Sequence, residues 1–378
     1  MIALFADTVT LVLAVSISAL SICPKHYSYK DNAMPVHIAL SPRLEKEFVN
    51  TKLACFGRYA LTIPSKAELI WGGASFPSRI EIITGGEPAA EQRISSDIAK
   101  LKLADSDVDI FYDGAGPTPG SREIRYYENK FAKAEDFFIA STYINMNGLI
   151  FMMRDAPYTG ESHAGVSTRV LARAMSLRLR TPDEVPREQG YCIEGGFLAG
   201  ALYDDQEMVN AGLYLPGFPD VTFSISSNKD AYGDYSSEEF ERRVRGELSL
   251  LARIKGAQDL QGIRYPKRTV LREGKRTVQH WHGEESLIKR ADGTHDFEWA
   301  FVGTPRDVAN PSEYSVHMFT KVAHNTVGAA DKASLSDDEA IALWDKLLSG
   351  LKFRVKVPGA PEGSYYLTPG ATTGSAPL

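Results

Sequence analysis

The sequence lacks an excess of basic charge. Its 378 residues include 42 Lys or Arg against 48 Asp or Glu, which gives a formal net charge of −6. Nucleic-acid-binding domains usually carry a basic face or stripe, whereas the bases here are scattered along the chain. The charge therefore excludes a typical nucleic-acid-binding protein. What remains is an ordinary globular composition, 43% hydrophobic, and a length that predicts two domains.

The sequence also lacks the common catalytic and cofactor motifs. It has no Gly-x-Ser-x-Gly of a serine hydrolase, no His-Glu-x-x-His of a zinc peptidase and no phosphate-binding loop. Acids in 105–114 resemble the start of a calcium loop, but Ile110 and Gly116 stand where that loop needs Gly and Glu. His280 and His282 have a spacing that can bind metal, yet no local signal supplies a third ligand. The sequence predicts no metal, no cofactor and no catalytic residue.

Cysteine is scarce, and the three positions are Cys23, Cys55 and Cys192. Cys192 lies in the glycine-rich stretch GYCIEGG, where the adjacent Glu194 disfavours the thiolate that a nucleophile needs. In an exported chain, two cysteines outside the leader most simply form one disulfide, Cys55–Cys192. Two separate buried thiols, or a catalytic Cys192 activated by a distant base, are the alternatives.

The N-terminus differs from the rest of the chain. Residues 2–22 are nearly all apolar or small, with one acid and no base before Lys25. Such a run is typical of a secretory signal or a membrane anchor, although a usual signal has a base before its apolar run. We interpret 1–23 as a signal sequence or anchor, and the polar residues 24–49 as a tether.

The remainder of the chain follows one plan twice. Each half opens with a cysteine-containing apolar stretch, continues with a short strand that begins with Phe-Pro, and then has a helix, several alternating strands and a closing helix. This order predicts an α+β protein of two similar α+β domains, each an antiparallel sheet packed with helices, which indicates internal duplication. We place the domains at 50–182 and 188–357, followed by a Pro- and Gly-rich tail, 358–378, that is predicted to be disordered.

Periodicity places the helices at the following ranges: 91–104, 165–180, 236–256 and 336–354. Ser336 and Glu339 have the spacing of a capping box, as do Ser236 and Glu239. The loop that precedes the third helix, 227–237, is long and polar, and its tyrosines are typical of protein-binding surfaces. We predict a partner-binding role for Tyr232, Asp234 and Tyr235; an ordinary mobile connection is the alternative.

Four stretches together resemble a known family. They are CFGRYALTIP (55–64), GYCIEGG (190–196), GEESLIKR (283–290) and ALWDKLLSGLKFR (342–354). In order and spacing they are similar to the immunity proteins paired with type VI secretion lipase effectors, in particular the fourth class. The resemblance covers about residues 50–355.

The resemblance implies a two-domain α+β binder without catalytic activity of its own. It implies export to the periplasm, where the protein would bind a cognate phospholipase toxin and silence it by stoichiometric occlusion, protecting the producer and its siblings. The partner would then be the effector protein, with the N-terminal segment as a possible inner-membrane anchor. An exported hydrolase that uses Cys192, and a cell-envelope scaffold, are the alternative functions.

Overall fold

The structure is a computed structural model that describes residues 38–77, 79–200, 203, 206–230 and 249–368. The helices are α1 Pro42–Glu47, α2 Gly86–Ala104, α3 Lys130–Ala134, α4 His163–Ser176, α5 Leu250–Gln261 and α6 Asp337–Ser349. The strands of the first half are β1 Thr51–Phe56, β2 Tyr59–Pro64, β3 Glu68–Ser75, β4 Arg79–Ile83, β5 Asp109–Ala115, β6 Ser121–Tyr127, β7 Ile139–Met146, β8 Leu149–Asp155 and β9 Leu177–Leu179. Those of the second half are β10 Gly190–Ile193, β11 Gly196–Ala199, β12 Glu207–Tyr214, β13 Thr222–Lys229, β14 Arg268–Val278, β15 Trp281–Arg290, β16 His295–Val302, β17 Glu313–Phe319, β18 Leu351–Val355 and β19 Tyr365–Leu367.

The two halves share one long sheet. Its strand order is β14-β15-β16-β17-β13-β12-β3-β4-β8-β7-β6-β5, and the pairings are antiparallel. The order is symmetric about the β12–β3 pair when each strand of one half is exchanged for its counterpart in the other. The predicted two-domain α+β architecture is confirmed, and the duplicated halves join edge to edge.

The halves also exchange strands. Each half begins with a hairpin, β1–β2 or β10–β11, and ends with a short strand, β9 or β18. The closing strand of the second half pairs with the hairpin of the first, β18 with β2, and the closing strand of the first half pairs with the hairpin of the second, β9 with β11. Each half therefore completes a sheet that the other half begins.

The main hydrophobic core lies on one face of the long sheet. Trp281, Trp299 and Trp344 are each fully buried there, and the core runs from the hairpins through the sheet to α6. A smaller core lies on the opposite face of the first half, where Ala90 and Ile94 of α2 pack on strand residues. The long sheet thus has one face covered by the core and another face that carries α2.

Two predicted helices end earlier than their periodicity suggests. The segments Leu177–Leu179 and Leu351–Val355, placed at the ends of helices 165–180 and 336–354, are strands β9 and β18. Their sequences LRL and LKFRV alternate apolar and basic residues, which suits a strand with one buried face. These segments form strands, and do not continue the helices, because they pair with the hairpins. This pairing is a tertiary effect that local periodicity cannot predict.

Both ends of the folded region extend further than predicted. Within the predicted tether, α1 buries Leu44 completely against the core. Within the predicted tail, Ala360 is buried and β19 pairs in parallel with β18, so the described structure continues to residue 368. Composition does not predict that these segments are folded, because burial of only a few of their side chains is enough to hold them against the core. The domain boundaries themselves remain a prediction.

Other helical predictions have mixed outcomes. The capping box of Ser336 and Glu339 is present at the start of α6. Helix α2 begins at Gly86, before the predicted start, and covers all of 91–104. Of the predicted helix 236–256, residues 236–248 lie outside the described residues, and α5 covers the rest and continues to Gln261.

Candidate partner-binding surface

A disulfide joins the two halves near the centre of the fold. Cys55 and Cys192 are bonded, with their Cα atoms 6.1 Å apart and both side chains almost completely buried. Each cysteine is the second residue before the two-residue turn of its hairpin, since Phe56 pairs with Tyr59 and Ile193 with Gly196. The predicted bond is thus present, and it links equivalent positions of the two repeats.

The bonded Cys192 has no free thiol, so this structure does not present it as a nucleophile. Its neighbours serve the architecture instead. The backbone amide of Gly57 donates to the carbonyl of Cys192, and the amide of Cys192 donates to the carbonyl of Gly57, both at 2.8 Å. A Cβ atom on Gly196 would lie 2.8 Å from a ring carbon of Phe151, which is closer than packed atoms approach. The glycines of GYCIEGG therefore permit close packing around the hairpin.

Two buried arginines donate hydrogen bonds that stabilise the connection between the halves. Arg354 lies in β18, directly after the residues that pair with β2, and donates to the carbonyl oxygens of Pro186, Glu188 (2.8 Å) and Gly190 (2.9 Å). Its burial lowers the pKa of the Arg354 guanidinium to about 10, which still leaves it charged at neutral pH. Arg180 has the equivalent place after β9, and it donates to the carbonyls of Glu184 (2.9 Å) and Ile193 (3.2 Å).

A buried ion pair braces the first hairpin against the long sheet. The Arg58 Nε donates to both carboxylate oxygens of Glu207 at 2.7 Å, and the guanidinium lies 4.2 Å from the ring centre of Tyr203. Burial lowers the pKa of Arg58, and the Glu207 carboxylate more than offsets this, so that the pKa is raised overall. Together with the disulfide, this pair holds both hairpins in a fixed relation to the β3–β12 centre.

The face of the long sheet that carries α2 also carries α5. The backbone amide of Leu251 donates to a carboxylate oxygen of Glu284 at 2.8 Å, and Arg253 pairs with Glu298 at the same distance. Glu298 lies opposite His317, and His317 lies opposite Ser224, so these residues share the face that is turned away from the main core. Both helices thus lie on one side of the sheet, one in each half.

Between these helices, the outward-facing side chains of the central strands remain partly exposed. We call this surface the open face and define it by the following residues: Ile70 and Gly72 of β3, Asn210, Gly212 and Tyr214 of β12, Thr222, Ser224 and Ser226 of β13, and Ser315 and His317 of β17. Most of these side chains are small and uncharged. A surface of this kind can admit a polypeptide segment against the sheet without clashes from long side chains.

The open face contains two exposed apolar side chains. Ile70 is 51% exposed and Tyr214 is 40% exposed, and they occupy neighbouring outward positions, since Ile70 lies opposite Gly212 and Tyr214 lies opposite Glu68. At Gly72 a Cβ atom would lie 2.8 Å from the Cβ of Asn210, so glycine is required where β3 and β12 meet irregularly. Exposed apolar and aromatic side chains within a small-residue surface are the typical anchors of a protein interface.

The sequence-predicted partner-binding residues Tyr232, Asp234 and Tyr235 lie outside the described residues. Their segment connects Asp230, at the end of β13, to Ser249, at the start of α5. Both ends of this segment therefore lie beside the open face. Sequence reasoning missed Ile70 and Tyr214, although an apolar residue at an outward position of an alternating strand is a signal that could have revealed them.

The histidines considered as metal ligands serve other contacts. His280 lies in the turn between β14 and β15, and its Nε2 is 2.8 Å from the carbonyl oxygen of Ala309. His282 is exposed, with Nδ1 3.0 Å from the Thr277 hydroxyl. Within the described ranges, no group of three or more His, Cys, Asp or Glu side chains is arranged to hold a metal ion.

The duplicated fold and its open face define a two-domain α+β protein with one shared sheet and a candidate protein-binding surface between the halves. Family models identify it more closely. Residues 52–180 match the N-terminal domain of Tle cognate immunity protein 4, and residues 184–356 match its C-terminal domain. The chain belongs to this family of immunity proteins, as the sequence resemblance predicts.

Solved structures share the fold. The immunity protein TplEi of the type VI secretion system from Pseudomonas aeruginosa, complexed with "L" peptide, is 22% identical, with a TM-score of 0.57 over 81% of this chain and 99% of that chain. Apo TplEi from the same organism is 21% identical, with a TM-score of 0.57 over 80% of this chain and 97% of that chain. A chain of the Tle4–Tli4 complex is also 21% identical over the same shares, with a TM-score of 0.60. No curated protein matches the chain.

Proposed function

We propose that this chain is an immunity protein that binds a cognate type VI secreted lipase and inhibits it by stoichiometric occlusion. Membership of the family of Tle cognate immunity proteins carries the proposal. One solved structure that shares the fold is that of the Tle4–Tli4 complex, which supports a pairing of this kind. The protected cells would be the producer and its siblings.

The open face is the surface that we assign to the lipase. Its small, uncharged side chains accept a protruding segment of the partner, and Ile70 and Tyr214 supply apolar anchors. The flanking segment with Tyr232, Asp234 and Tyr235 is assigned to the same interface because it begins and ends beside this face. An interface of about 2,000 Å² would suit tight inhibition.

Occlusion explains inhibition without any chemistry by this chain. A lipase reaches its substrate through an entrance that a mobile lid often gates, so a protein that holds the lid or covers the entrance stops turnover. The shared sheet, the exchanged strands and the disulfide keep the two halves in one arrangement, so the open face is formed before the partner arrives. A preorganised surface loses less free energy to ordering on binding.

We further propose that the protein is not an enzyme and acts in the periplasm. The disulfide Cys55–Cys192 favours an oxidising compartment. Among the described residues, no helix is long and apolar enough to cross a membrane. The role of residues 1–23 as signal or anchor stays a prediction, and these residues lie outside the described ranges.

An activity titration tests the proposal. Purified protein is mixed at increasing ratio with the lipase encoded beside it, and hydrolysis of a soluble ester is followed. We expect activity to fall linearly to near zero at an equimolar ratio, which is the signature of tight occlusion. Undiminished hydrolysis, together with no detectable complex at micromolar concentration, would refute the proposal.

A further inference from the structure

The outer end of the second half carries a concentrated basic charge. Between residues 253 and 276, eight side chains are Lys or Arg and two are acidic, a formal charge of +6 within a chain of net charge −6. This stretch leads from α5 through the 3-10 turn Gly262–Arg264 into β14, an edge strand of the long sheet. The counterpart at the other edge, residues 97–115, has five acids and two bases. Since both ends share one fold, the fold alone does not require the basic charge.

Some of these bases serve the structure. Arg272 and Arg276 both pair with Asp345 of α6, and Arg253 pairs with Glu298. Arg264 and Lys267 have no ion pair among the described residues. Arg268 pairs with Glu273 at 3.7 Å, and its side chain is only 11% exposed. The charge without a structural partner is therefore concentrated at the turn that joins α5 to β14.

The same turn exposes aliphatic side chains. Leu260 is 88% exposed, Ile263 is fully exposed and Val270 is 49% exposed. We call the surface formed by Leu260, Ile263, Val270, Arg264 and Lys267 the basic tip. A group of exposed apolar side chains on one surface, unlike a single one, is typical of a site that binds a protein or a membrane.

A recess lies directly beside the basic tip. Its volume is about 610 Å³, and its lining includes the apolar Tyr265, Pro266 and Ile288 together with Lys267, Arg268 and Arg290. Arg290 pairs with Asp296 at the wall of the recess, and the guanidinium of Arg268 lies 5.2 Å from the ring centre of Tyr265. The recess therefore combines apolar side chains with three cations and two carboxylates, Asp292 and Asp296.

We propose that the basic tip docks on the surface of an anionic phospholipid membrane. Arg264 and Lys267 would contact lipid phosphates, while Leu260 and Ile263 enter the boundary between head groups and acyl chains. The turn exposes aliphatic side chains at the edge of the sheet, where they can enter a fluid lipid surface. A hot spot of a protein interface, by contrast, is typically an aromatic side chain in a packed pocket. This surface is separate from the open face, and its role does not depend on the proposed inhibition.

Vesicle binding of the full chain tests the proposal. Vesicles of phosphatidylglycerol and phosphatidylethanolamine are compared with vesicles of phosphatidylcholine alone, at low and high salt. We expect binding to the anionic vesicles that weakens with salt, since exposed charges are screened over about 10 Å at 0.1 M. The combined variant Arg264→Ser and Lys267→Ser should bind them roughly 25-fold more weakly, at about fivefold for each charge near the surface.

The chain offers a matched control at the opposite edge of the sheet. The combined variant Lys100→Ser and Lys102→Ser changes the net charge equally at exposed positions. We expect it to bind anionic vesicles as the unaltered chain does. Both variants keep residues 2–22, so an affinity of that segment for lipid affects them equally.

A second readout reports insertion of the basic tip itself. In a Cys23→Ser background, an environment-sensitive fluorophore is placed at Leu260→Cys or at Leu103→Cys. These leucines stand near the ends of α5 and α2 and are equally exposed, at 88%. Anionic vesicles should shift the emission of the label at residue 260 to the blue and leave the label at residue 103 unchanged.

Two results would overturn the proposal. One is equal vesicle binding by the unaltered chain and the basic-tip variant, with no emission shift at residue 260. The other is a basic-tip variant that keeps its vesicle binding but no longer inhibits the lipase with a soluble substrate, because the tip would then belong to the effector interface. If the unaltered chain does not inhibit the lipase, only the proposed function is refuted, and the vesicle result still stands.

Discussion

At the scale of single residues, the two cysteines occupy the same place in the two repeats. The sequence could predict their bond from cysteine number and presumed export, and it could align the stretches that contain them. It could not predict the 6.1 Å approach of the Cα atoms, because that depends on hairpins 137 residues apart. The anchors Ile70 and Tyr214 were missed for a similar reason, since the exposure of a strand residue depends on what packs over it.

Removal of the disulfide should destabilise the protein strongly. The double variant Cys55→Ala and Cys192→Ala is expected to lose about 2–5 kcal/mol of unfolding free energy, because the bond closes a long loop and thereby limits the unfolded chain. Urea unfolding without reductant measures the loss, and Cys23→Ala serves as the control that should behave as the unaltered chain. Equal stability of the double variant, or two free thiols at 55 and 192 in exported protein, would contradict the bond.

Arg354 should matter for stability although its guanidinium forms no ion pair with a carboxylate of the described residues. Arg354→Met leaves the buried carbonyl oxygens of Pro186, Glu188 and Gly190 without their donor, at a cost of about 1–3 kcal/mol for an unsatisfied buried group. Lys352→Met is the control in the same strand, because Lys352 is partly exposed, and it should change stability by about 0.5 kcal/mol or less. Equal unfolding midpoints for the two variants would show that Arg354 does not fasten the connection.

The docking of α1 should depend on pH through Glu339. Hydrogen bonds from Arg43 hold the pKa of Glu339 below its ordinary value of 4.5, so its stabilising contribution is complete above that value and is lost as pH falls toward the folded-state pKa. The melting temperature of the unaltered chain should exceed that of Glu339→Gln above pH ~5, and the difference should shrink below pH ~4. Asp338→Asn, in the same helical turn, is the control, and a difference that does not vary with pH would contradict this origin.

At the scale of elements, the exchanged strands decide how the chain folds. Strands β9 and β18 each complete a sheet of the other half. Periodicity predicted the order of strands and helices in each repeat, because burial of one face is encoded locally. It predicted helix for residues 177–180 and 351–354, because a strand partner from the other half leaves no local signal.

Neither half should fold alone. Fragments 50–182 and 188–357 are each expected to lack cooperative unfolding, because each would expose an unpaired hairpin edge and the β3 or β12 edge of the long sheet. Coexpression should yield a complex of the two fragments, observed by gel filtration under non-reducing conditions. A monomeric fragment that is well folded by circular dichroism and melts cooperatively would contradict the role of strand exchange.

At the scale of the whole molecule, the continuous sheet turns two repeats into one rigid unit. The β3–β12 pair at its centre forms the middle of the open face, with α2 and α5 on either side. The two-domain plan was predictable from the repeat, whereas the joining of the two sheets into one was not, since the edges that meet carry no distinctive composition. The resemblance predicted the family correctly because several short stretches keep their order and spacing.

The affinity of the lipase for variants of the open face tests the central claim most directly. Replacement of Ile70 and Tyr214 by Ser removes the two exposed anchors, while Leu103→Ser removes a more exposed apolar side chain from the outer end of α2. Titration calorimetry should show the double variant weakened by at least ~30-fold, as expected for the loss of about 2 kcal/mol at a hot spot, and Leu103→Ser unchanged. An unaltered affinity of the double variant would place the lipase on a different surface and contradict the account.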